Sequence, residues 1–290
     1  MFKNVLVGVD GSQNGRDAIA LASQLIDPDG NLTLVHVHQG EMAEELADVR
    51  KLLEEERKAA DVTAELLSVV AAGPGRGLHE QAERQGADLL VVGSCRHGAF
   101  GRAMLGDDTR AALNGAPCAI AIASRGFAEH LKPIAKVGVG YNGSPESKAA
   151  LAAAREITAP ARASLQALEV VSLTVYSYAG IVPPAISESI DTFLQEGQRR
   201  LEELPGVEGH AVYGLTGEEL ATFGDQVDIL VVGSRGYGPI RRLVLGSTAA
   251  YLERHARCSL LVLPRIAISP GEDSTASGEL QAKTAAGTAI

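Results

Sequence analysis

An internal repeat constrains this chain more than any other feature of its sequence. Three segments of the first half return in the second half in the same order: VLVGVDGS at residues 5–12 returns as VGVGYNGS at 137–144, DLLVVGS at 88–94 as DILVVGS at 228–234, and APCAIAI at 116–122 as ARCSLLV at 256–262. Repeat units of solenoid proteins are roughly 20 to 50 residues long, which is much shorter than the distance between these copies. The sequence therefore predicts a duplicated domain.

Each copy alternates short apolar runs with helical patterns, which is typical of βαβ units around a parallel sheet. In the first copy we predict strands at residues 5–9, 32–37, 65–70, 89–92 and 118–123. We predict one helix that begins at residue 12 and two further helices at 41–60 and 78–85. In the second copy we predict strands at 136–141, 165–171, 229–232 and 260–263, with helices at 144–157 and 186–204. The predicted fold class is α/β, with two tandem domains that each hold a parallel sheet flanked by helices.

The domain boundaries follow from these patterns and from the length. A chain of 290 residues has room for two domains of roughly 150 residues. We predict a first domain at 1–124, a linker at 125–133, a second domain at 134–265 and an unfolded tail at 266–290, which is rich in Ala, Gly, Ser and Thr. The strand-to-helix connection at 172–185 is longer than its counterpart in the first copy, so it is a candidate lid.

The composition restricts the compartment in which we expect the protein and the classes of partner that we expect it to bind. No apolar run approaches the roughly 20 residues of a membrane-spanning helix, and the N-terminal apolar run stops at Asp10, which is too short for a signal peptide. We therefore predict a cytoplasmic protein. Cys95, Cys118 and Cys258 are widely spaced and indicate neither a disulfide framework nor a metal site. The net charge of -10 disfavours direct binding to nucleic acid but leaves room for a local anion site.

The strongest candidate for a ligand site follows the predicted strand at residues 229–232. In an open α/β sheet, ligands bind beyond the carboxyl ends of the strands. After this strand come Gly233, Ser234, Arg235 and Gly236, and nine residues later Gly246, Ser247 and Thr248 at an apparent helix start. Glycines let the backbone approach a phosphate, and a Ser-capped helix start offers free N–H groups and the positive end of a dipole. Arg235 would add positive charge or be an ordinary solvated arginine.

This spacing resembles the G-x2-G-x9-G-[ST] pattern of the universal stress protein family. The Asp-Gly-Ser opening after the first strand, the Asp-apolar-Val-Val-Gly-Ser blocks and the Pro-Cys strand near Cys118 look like the same family, over about residues 1–265. The resemblance implies Rossmann-like (adenine-nucleotide-hydrolase-like) domains. It implies ATP or a related adenine nucleotide, with or without Mg²⁺, between the first-strand loop and the glycine loop in those members that bind one. It also implies an internal pseudo-dimer in contact through the final strands, with a further homodimer left open.

Carried onto this sequence, the resemblance places nucleotide binding mainly in the second domain. The implied cofactor-binding residues are Asn142, Gly143, Ser144, Val170, Gly233, Ser234, Arg235, Gly236, Gly246, Ser247 and Thr248. Asn142 stands where the family has Asp, and its amide can still accept a hydrogen bond but lacks the charge that strengthens one about twofold.

The first copy departs from the family pattern at its phosphate end. It keeps Asp10, but Arg96 replaces the second glycine, and Asp107 with Asp108 replace the Ser-Thr pair. Two carboxylates would face a phosphate with like charge. We therefore predict that the first site does not bind a triphosphate.

Two glycine patterns have ordinary structural interpretations. Gly138, Gly140 and Gly143 match a dinucleotide fingerprint on paper, with Glu169 as the ribose-binding acid. However, the first two glycines lie inside a predicted strand, which favours close packing instead. The glycine cluster at residues 73–77 is interpreted as a flexible turn.

Catalytic and metal-binding patterns find little support. The sequence has no GxxxxGK[ST], GxSxG or HExxH motif, so P-loop, serine-hydrolase and zinc-protease chemistry lack their standard parts. His36 and His38 are predicted to point to opposite faces of a strand, so that they would not share a metal ion. We predict no catalytic and no metal-ligating residues, although slow ATP hydrolysis stays open.

Three functions remain in order of preference. The first is a stress-response regulatory protein that binds an adenine nucleotide and uses its occupancy as a signal. The second is an interaction or scaffold protein of the same fold, in which Asn142 has abolished nucleotide affinity. The third is a slow ATPase, which the missing general base disfavours.

Overall fold

The computed structural model describes residues 1–40, 43–94, 115–172, 184–234 and 246–264. The strands in these ranges are β1 (Phe2–Gly8), β2 (Ile26–His38), β3 (Glu65–Val70), β4 (Leu89–Gly93), β5 (Ala119–Ala123), β6 (Lys136–Gly140), β7 (Ser164–Val171), β8 (Glu208–Tyr213), β9 (Ile229–Gly233) and β10 (Ser259–Leu263). The helices are α1 (Gln13–Leu25), α2 (Ala43–Ala59), α3 (Pro74–Gln85), α4 (Pro145–Ala161), α5 (Pro184–Glu202), α6 (Thr216–Gly224) and α7 (Ser247–His255). None of the helices in the described ranges combines the length and the apolar character that a membrane crossing requires.

The strands form one ten-stranded sheet in the order β3-β2-β1-β4-β5-β10-β9-β6-β7-β8. Within each half, neighbouring strands run parallel. The halves meet where β5 and β10 pair antiparallel, with Ile122 opposite Leu260 and Ile120 opposite Val262. The predicted α/β class with parallel sheets is confirmed, and the final strands of the two copies are in contact as expected.

Helices cover both faces of the sheet. One face carries α1, α2, α4 and α5, whose core side chains include Ile19 and Leu201. The other face carries α3, α6 and α7, with Leu78, Phe223 and Leu252 in its core. Strands that are buried on both faces consist of continuous apolar runs, as in ILVVG of β9. The apolar runs of the sequence are therefore explained by this layering.

Helix α3 begins at Pro74 instead of residue 78, so the prediction of a flexible turn at 73–77 is wrong. Gly73 is the N-cap, and proline suits the first helical position because its missing N–H would have no helical partner there. At Gly77 a Cβ would lie 2.7 Å from Cγ1 of Val37. Glycine at this position lets α3 pack closely on β2.

Strand β8 and helix α6 are elements that the sequence patterns did not predict. The β8 sequence is EGHAVY, in which Gly209 and His210 interrupt the apolar pattern. Because β8 is an edge strand, it needs less apolar surface than a central strand does. Each described element of the first copy thus has a counterpart in the second.

Candidate functional site

The carboxyl ends of β6 and β9 lie at the point where the strand order of the second copy changes direction. The chain runs from β6 outward to β7 and β8 and then returns to the other side of β6 as β9. Such a switch in direction opens a crevice where ligands of open α/β sheets bind. Val139 pairs with Val231. Asn142 and Ser234, each three residues further along, therefore follow the two strands at the same edge.

The loop after β6 has a defined shape. Gly143 has a φ of +78°, which glycine adopts without strain. The Ser144 N–H donates to Oδ1 of Asn142 at 3.2 Å, and Oγ of Ser144 caps α4 by accepting from the Ser147 N–H at 3.2 Å. Asn142 is exposed, and the turn uses its amide oxygen. The Nδ2 group of Asn142 is therefore suited to donate to a ligand in the crevice.

The first copy builds the same loop with a carboxylate. Gly11 also has a φ of +78°, and Ser12 donates to Oδ1 of Asp10 from its N–H at 3.0 Å and from its Oγ at 2.6 Å. Val7 pairs with Val91 of β4, so Asp10 and Ser94 correspond to Asn142 and Ser234. The two loops share a turn and differ in charge.

Ser234 carries a buried hydroxyl group at the carboxyl end of β9. The residue is 1% exposed, its N–H donates to the Leu263 carbonyl at 2.9 Å, and its Oγ has no hydrogen-bond partner within the described residues. An unsatisfied buried hydroxyl costs about 1–3 kcal/mol, and most such groups in native proteins are paired with protein or water. The Ser234 hydroxyl is therefore ready to bond a ligand that enters the crevice.

Packing gives Gly233 a structural role. A Cβ at Gly233 would lie 2.7 Å from Cβ of Glu146 and 2.8 Å from its carbonyl oxygen. In the first copy, a Cβ at Gly93 would collide with the carbonyl oxygen of Asn14. Both glycines let the first turn of a helix approach the end of a strand. This packing explains why glycine recurs in both copies, and contact between Gly233 and a nucleotide stays a prediction.

We expect Gly233→Ala to lower the free energy of unfolding by about 2 kcal/mol, because overpacking would displace the backbone of α4. Urea denaturation measures this change. Gly73→Ser is a suitable control, since a Cβ at Gly73 meets nothing within 4 Å and the position is an N-cap. The control should change stability by less than about 0.5 kcal/mol, and equal effects of the two substitutions would contradict the packing role.

Helix α7 begins at Ser247, and its N-cap is Gly246 with φ of -68° and ψ of 162°. The expectation of a Ser-capped start is wrong by one position, because Ser247 is the first helical residue and Thr248 the second. Gly246 has no side chain, so it caps none of the first N–H groups of α7. Such N–H groups can bond a ligand, water or the preceding loop.

Several residues predicted from the sequence lie outside the described residues. In the second copy these are Arg235, Gly236 and the part of the candidate lid at 173–183. In the first copy they are Cys95, Arg96, Asp107 and Asp108. The described part of the predicted site is thus the Asn142 loop, the end of β7, the Gly233-Ser234 pair and the start of α7.

An ion pair with a buried carboxylate supports the Asn142 loop. Glu169 of β7 is 5% exposed and accepts from Arg200 of α5, whose Nε donates to Oε2 at 3.3 Å and whose Nη2 donates to Oε1. The hydrogen bond with Glu169 raises the pKa of Arg200. A Cβ at Gly143 would lie 3.5 Å from Cδ of Arg200, so the stem of the arginine packs against the loop. The sequence analysis missed Arg200, although one acid within an apolar strand was a signal that Glu169 has a cationic partner.

The dinucleotide alternative has no structural basis. Gly138 and Gly140 lie inside β6, where Cβ atoms would lie 2.8 Å from Cε1 of Phe223 and 3.3 Å from Cδ2 of Leu220. These glycines let α6 pack closely on β6, as the strand interpretation predicted. Glu169, which would bind the ribose in this alternative, already forms an ion pair with Arg200. Its neighbour Val170 is partly buried on the opposite face, at the carboxyl end of β7.

Other reactive groups of the described residues form no second centre. The prediction that His36 and His38 point to opposite faces is wrong, because residues two apart on a strand share a face. Their rings stack with centroids 6.2 Å apart. Within the described ranges, no group of three or more His, Cys, Asp or Glu side chains could hold a metal ion. Burial raises the pKa of the Cys118 thiol to about 12, so this thiol stays protonated and unreactive near neutral pH.

Both copies of the repeat match one known family. The model of the universal stress protein family matches residues 1–124 and again residues 133–264. The chain belongs to the universal stress protein family. The resemblance seen in the sequence motifs is thereby confirmed over both halves of the chain.

Relatives of similar length are also universal stress proteins. A universal stress protein of Mycobacterium tuberculosis is 26% identical over 281 residues, which covers 91% of this chain and 97% of that protein. One of Mycobacterium bovis is 27% identical over 291 residues, which covers 89% of this chain and 96% of that protein. This universal stress protein is thus similar to its relatives along nearly their whole length.

Solved structures support the fold. A putative universal stress protein from Pseudomonas aeruginosa superimposes with a TM-score of 0.64 at 17% identity and covers 91% of this chain and 94% of that one. A universal stress protein from Archaeoglobus fulgidus gives a TM-score of 0.60 at 17% identity and covers 91% of this chain and 98% of that one. At these identities the likeness establishes the Rossmann-like fold alone.

Proposed function

We propose that this universal stress protein is a regulatory protein that binds ATP or a related adenine nucleotide, mainly in its second domain. The nucleotide would lie in the crevice between β6 and β9, with its sugar near the Asn142 loop and its phosphates near the start of α7. Its occupancy, and not its turnover, would be the signal. The family pattern at Gly233, Gly236, Gly246 and Ser247 supports this assignment.

The observation that carries the proposal is the Ser234 hydroxyl. It is buried at the switch point of the sheet and has no partner within the described residues. A hydroxyl donates one hydrogen bond and accepts others, so it suits a phosphate oxygen or a ribose hydroxyl. A ligand at this point would satisfy a group that costs the ligand-free protein about 1–3 kcal/mol.

The other described residues fit a nucleotide in complementary ways. The exposed Asn142 offers Nδ2 as a donor, while its Oδ1 holds the turn through Ser144. The first N–H groups of α7, beside Gly246, lie at the positive end of the helix dipole and favour the negative charge of a phosphate. Arg235 adds a cation to the same loop in the sequence. No step of bond breaking is required of these groups.

The two domains would differ in nucleotide binding. The first copy has two acids, Asp107 and Asp108, in the segment that corresponds to the phosphate end. These two negative groups would repel a triphosphate. The proposal therefore assigns one nucleotide to each chain, and the first domain supports the second through the β5–β10 pairing.

Replacing the Ser234 hydroxyl tests the proposal in two directions. We expect Ser234→Ala to weaken ATP binding about 5- to 10-fold, and to raise the stability of the ligand-free protein by about 1 kcal/mol, because a buried unpaired hydroxyl is removed. The ATP-dependent shift in melting temperature measures the first effect, and urea denaturation without ATP measures the second.

The equivalent serine of the first copy provides the control. Ser94→Ala should leave the ATP-dependent shift unchanged, because the proposal assigns no nucleotide to that copy. Equal losses of the shift in both variants would contradict the assignment to the second domain. An unchanged shift in Ser234→Ala would contradict a role for this hydroxyl.

One observation favours a scaffold function as the second candidate. Asn142 lacks the charge of the family's aspartate, which the first copy keeps at Asp10. Asn142→Asp separates the two candidates. If this substitution creates ATP binding that the natural chain lacks, the natural chain is an interaction protein that has lost its ligand.

A further inference from the structure

The ten-stranded sheet ends in two edge strands, β3 in the first copy and β8 in the second. Alternate residues of a strand direct their N–H and C=O groups to opposite sides. The N–H groups of Ala71 and Gly214, just beyond these strands, donate inward to β2 and β7. These bonds fix the residues whose backbone groups face outward, which include Leu66 and Ser68 in β3 and Gly209 and Ala211 in β8.

A glutamine side chain closes the edge of β8. Gln198 of α5 accepts the Ala211 N–H at its Oε1 over 3.1 Å and donates from its Nε2 to the Gly209 carbonyl over 3.2 Å. This one amide supplies the acceptor and the donor that a neighbouring strand would supply. An edge that is closed in this way is protected against pairing with another chain.

Among the residues that the structure describes, none closes the edge of β3 in this way. Ser68 lies three residues before Ala71, as Ala211 lies three residues before Gly214. Leu66 likewise corresponds to Gly209, so Ser68 and Leu66 are the counterparts of the two residues that Gln198 binds. Within the described residues, neither the outward Ser68 N–H nor the outward Leu66 carbonyl has a hydrogen-bond partner. Arg50 of α2 lines the same groove as Leu66 and Ser68, and its guanidinium has donors but no acceptor. Arg50 is therefore unable to satisfy the Ser68 N–H.

A groove of about 570 Å³ lies between α2 and this edge. Its apolar wall includes Leu66 and the 39% exposed Leu46. Its charged wall includes an ion pair between Arg57 and Glu54 at 2.6 Å. Arg50 has no ion-pair partner within the described residues. As far as the structure describes the groove, it thus combines a strand edge without hydrogen-bond partners, an apolar surface and Arg50, a cation without an ion-pair partner.

We propose that the β3 edge is a homodimer interface, in which a second copy of this chain adds its own β3 antiparallel across a two-fold axis at Leu67. In this register the Ser68 N–H of each copy donates to the Leu66 carbonyl of the other. Arg50 of each copy lies opposite Glu54 of the other. The 45% exposed Val70 is covered at the same time, and the two sheets become continuous.

Three features favour a second copy over another strand. The open donor and the open acceptor lie two residues apart, so a two-fold axis between them satisfies both groups in both copies. The charges along α2 are self-complementary when two such helices run antiparallel, because Arg50 and Glu54 are one turn apart. The chain also joins its own two domains by antiparallel pairing of strands, β5 with β10. The proposal is independent of nucleotide binding.

The oligomeric state of the full chain tests the proposal. Sedimentation velocity from about 1 to 100 μM should reveal a monomer–dimer equilibrium in the natural chain. Arg50→Gln recreates the closure that Gln198 provides on β8, and we expect it to weaken the dimer at least tenfold. Lys51→Gln is the matched control, because it removes a 76% exposed charge from the same helix and should leave the dimer intact.

Charge exchange and hydrogen exchange locate the interface. Arg50→Glu should abolish the dimer, and the double variant Arg50→Glu with Glu54→Arg should restore it by reversing each pair across the axis. Amide hydrogen exchange of residues 64–70 should slow as the concentration of the natural chain rises. A monomeric natural chain at about 100 μM, or a dimer that Arg50→Gln and Lys51→Gln affect equally, would overturn the proposal.

Discussion

Replacing Arg200 with methionine is expected to lower the free energy of unfolding by about 3 kcal/mol. Glu169 is 5% exposed, and the substitution would leave its carboxylate buried without the guanidinium that now donates two hydrogen bonds to it. Breaking a buried ion pair on one side typically costs 3–5 kcal/mol, and the 39% exposure of the arginine side chain places this case at the lower end. Urea denaturation followed by circular dichroism measures the loss.

A double substitution separates the unpaired charge from the lost packing. Arg200→Met with Glu169→Leu should recover most of the stability, because apolar residues of similar volume often replace a buried ion pair at little cost. Arg257→Met is the control, since Arg257 is 81% exposed and lies 4.0 Å from Asp225. This exposed pair should contribute less than about 1 kcal/mol. A loss of similar size in both single variants would contradict the supporting role of Glu169 and Arg200.

Asp17→Ala is the second substitution with a large expected effect, a loss of about 2–4 kcal/mol. Asp17 is fully buried on α1, and its carboxylate accepts the N–H groups of Gly126 and Ala128 at 2.8 Å each. These bonds hold the segment after β5 against the first domain. Hydrogen bonds to a charged group contribute about 1.5–3 kcal/mol, and removal of the acceptor leaves both donors without a partner.

Thermal and chemical denaturation of the Asp17 variant measure this effect. Asp48→Ala provides the control, because Asp48 is exposed on α2 and its removal should change stability by less than about 0.5 kcal/mol. Asp17→Asn should lie between the two, since its amide oxygen still accepts one N–H group. If Asp17→Ala were as stable as Asp48→Ala, the segment at 124–130 would be held by other contacts.

The central strands could be predicted from the sequence because their burial leaves a strong pattern. Strands β4 and β9 are short apolar runs that end in glycine and are followed by serine, and their positions follow from the order of apolar residues. Strand β8 was missed because an edge strand tolerates polar and glycine residues. The start of α3 was misread because Pro74 and its glycines also fit a turn, and only the packing against Val37 decides between the two.

The candidate site was predictable where the chemistry is local and unpredictable where it depends on distant contacts. The turn at Asn142 follows from the Asn-Gly-Ser sequence. The closure of β8 by Gln198 and the capture of two backbone N–H groups by Asp17 join residues on different elements, and no local pattern encodes them. The packing role of Gly233 is of the same kind, because the contact with Glu146 becomes visible only in three dimensions.

Isothermal titration of ATP with Mg²⁺ into the natural chain, Gly246→Ala and Asp10→Ala tests the central claim most directly. We expect one site per chain in the natural protein and in Asp10→Ala, and weaker or absent binding in Gly246→Ala, where a Cβ would stand beside the first N–H groups of α7. Absence of heat in the natural chain, with no nucleotide retained through purification, would contradict nucleotide binding. A site lost in Asp10→Ala and kept in Gly246→Ala would move the ligand to the first domain.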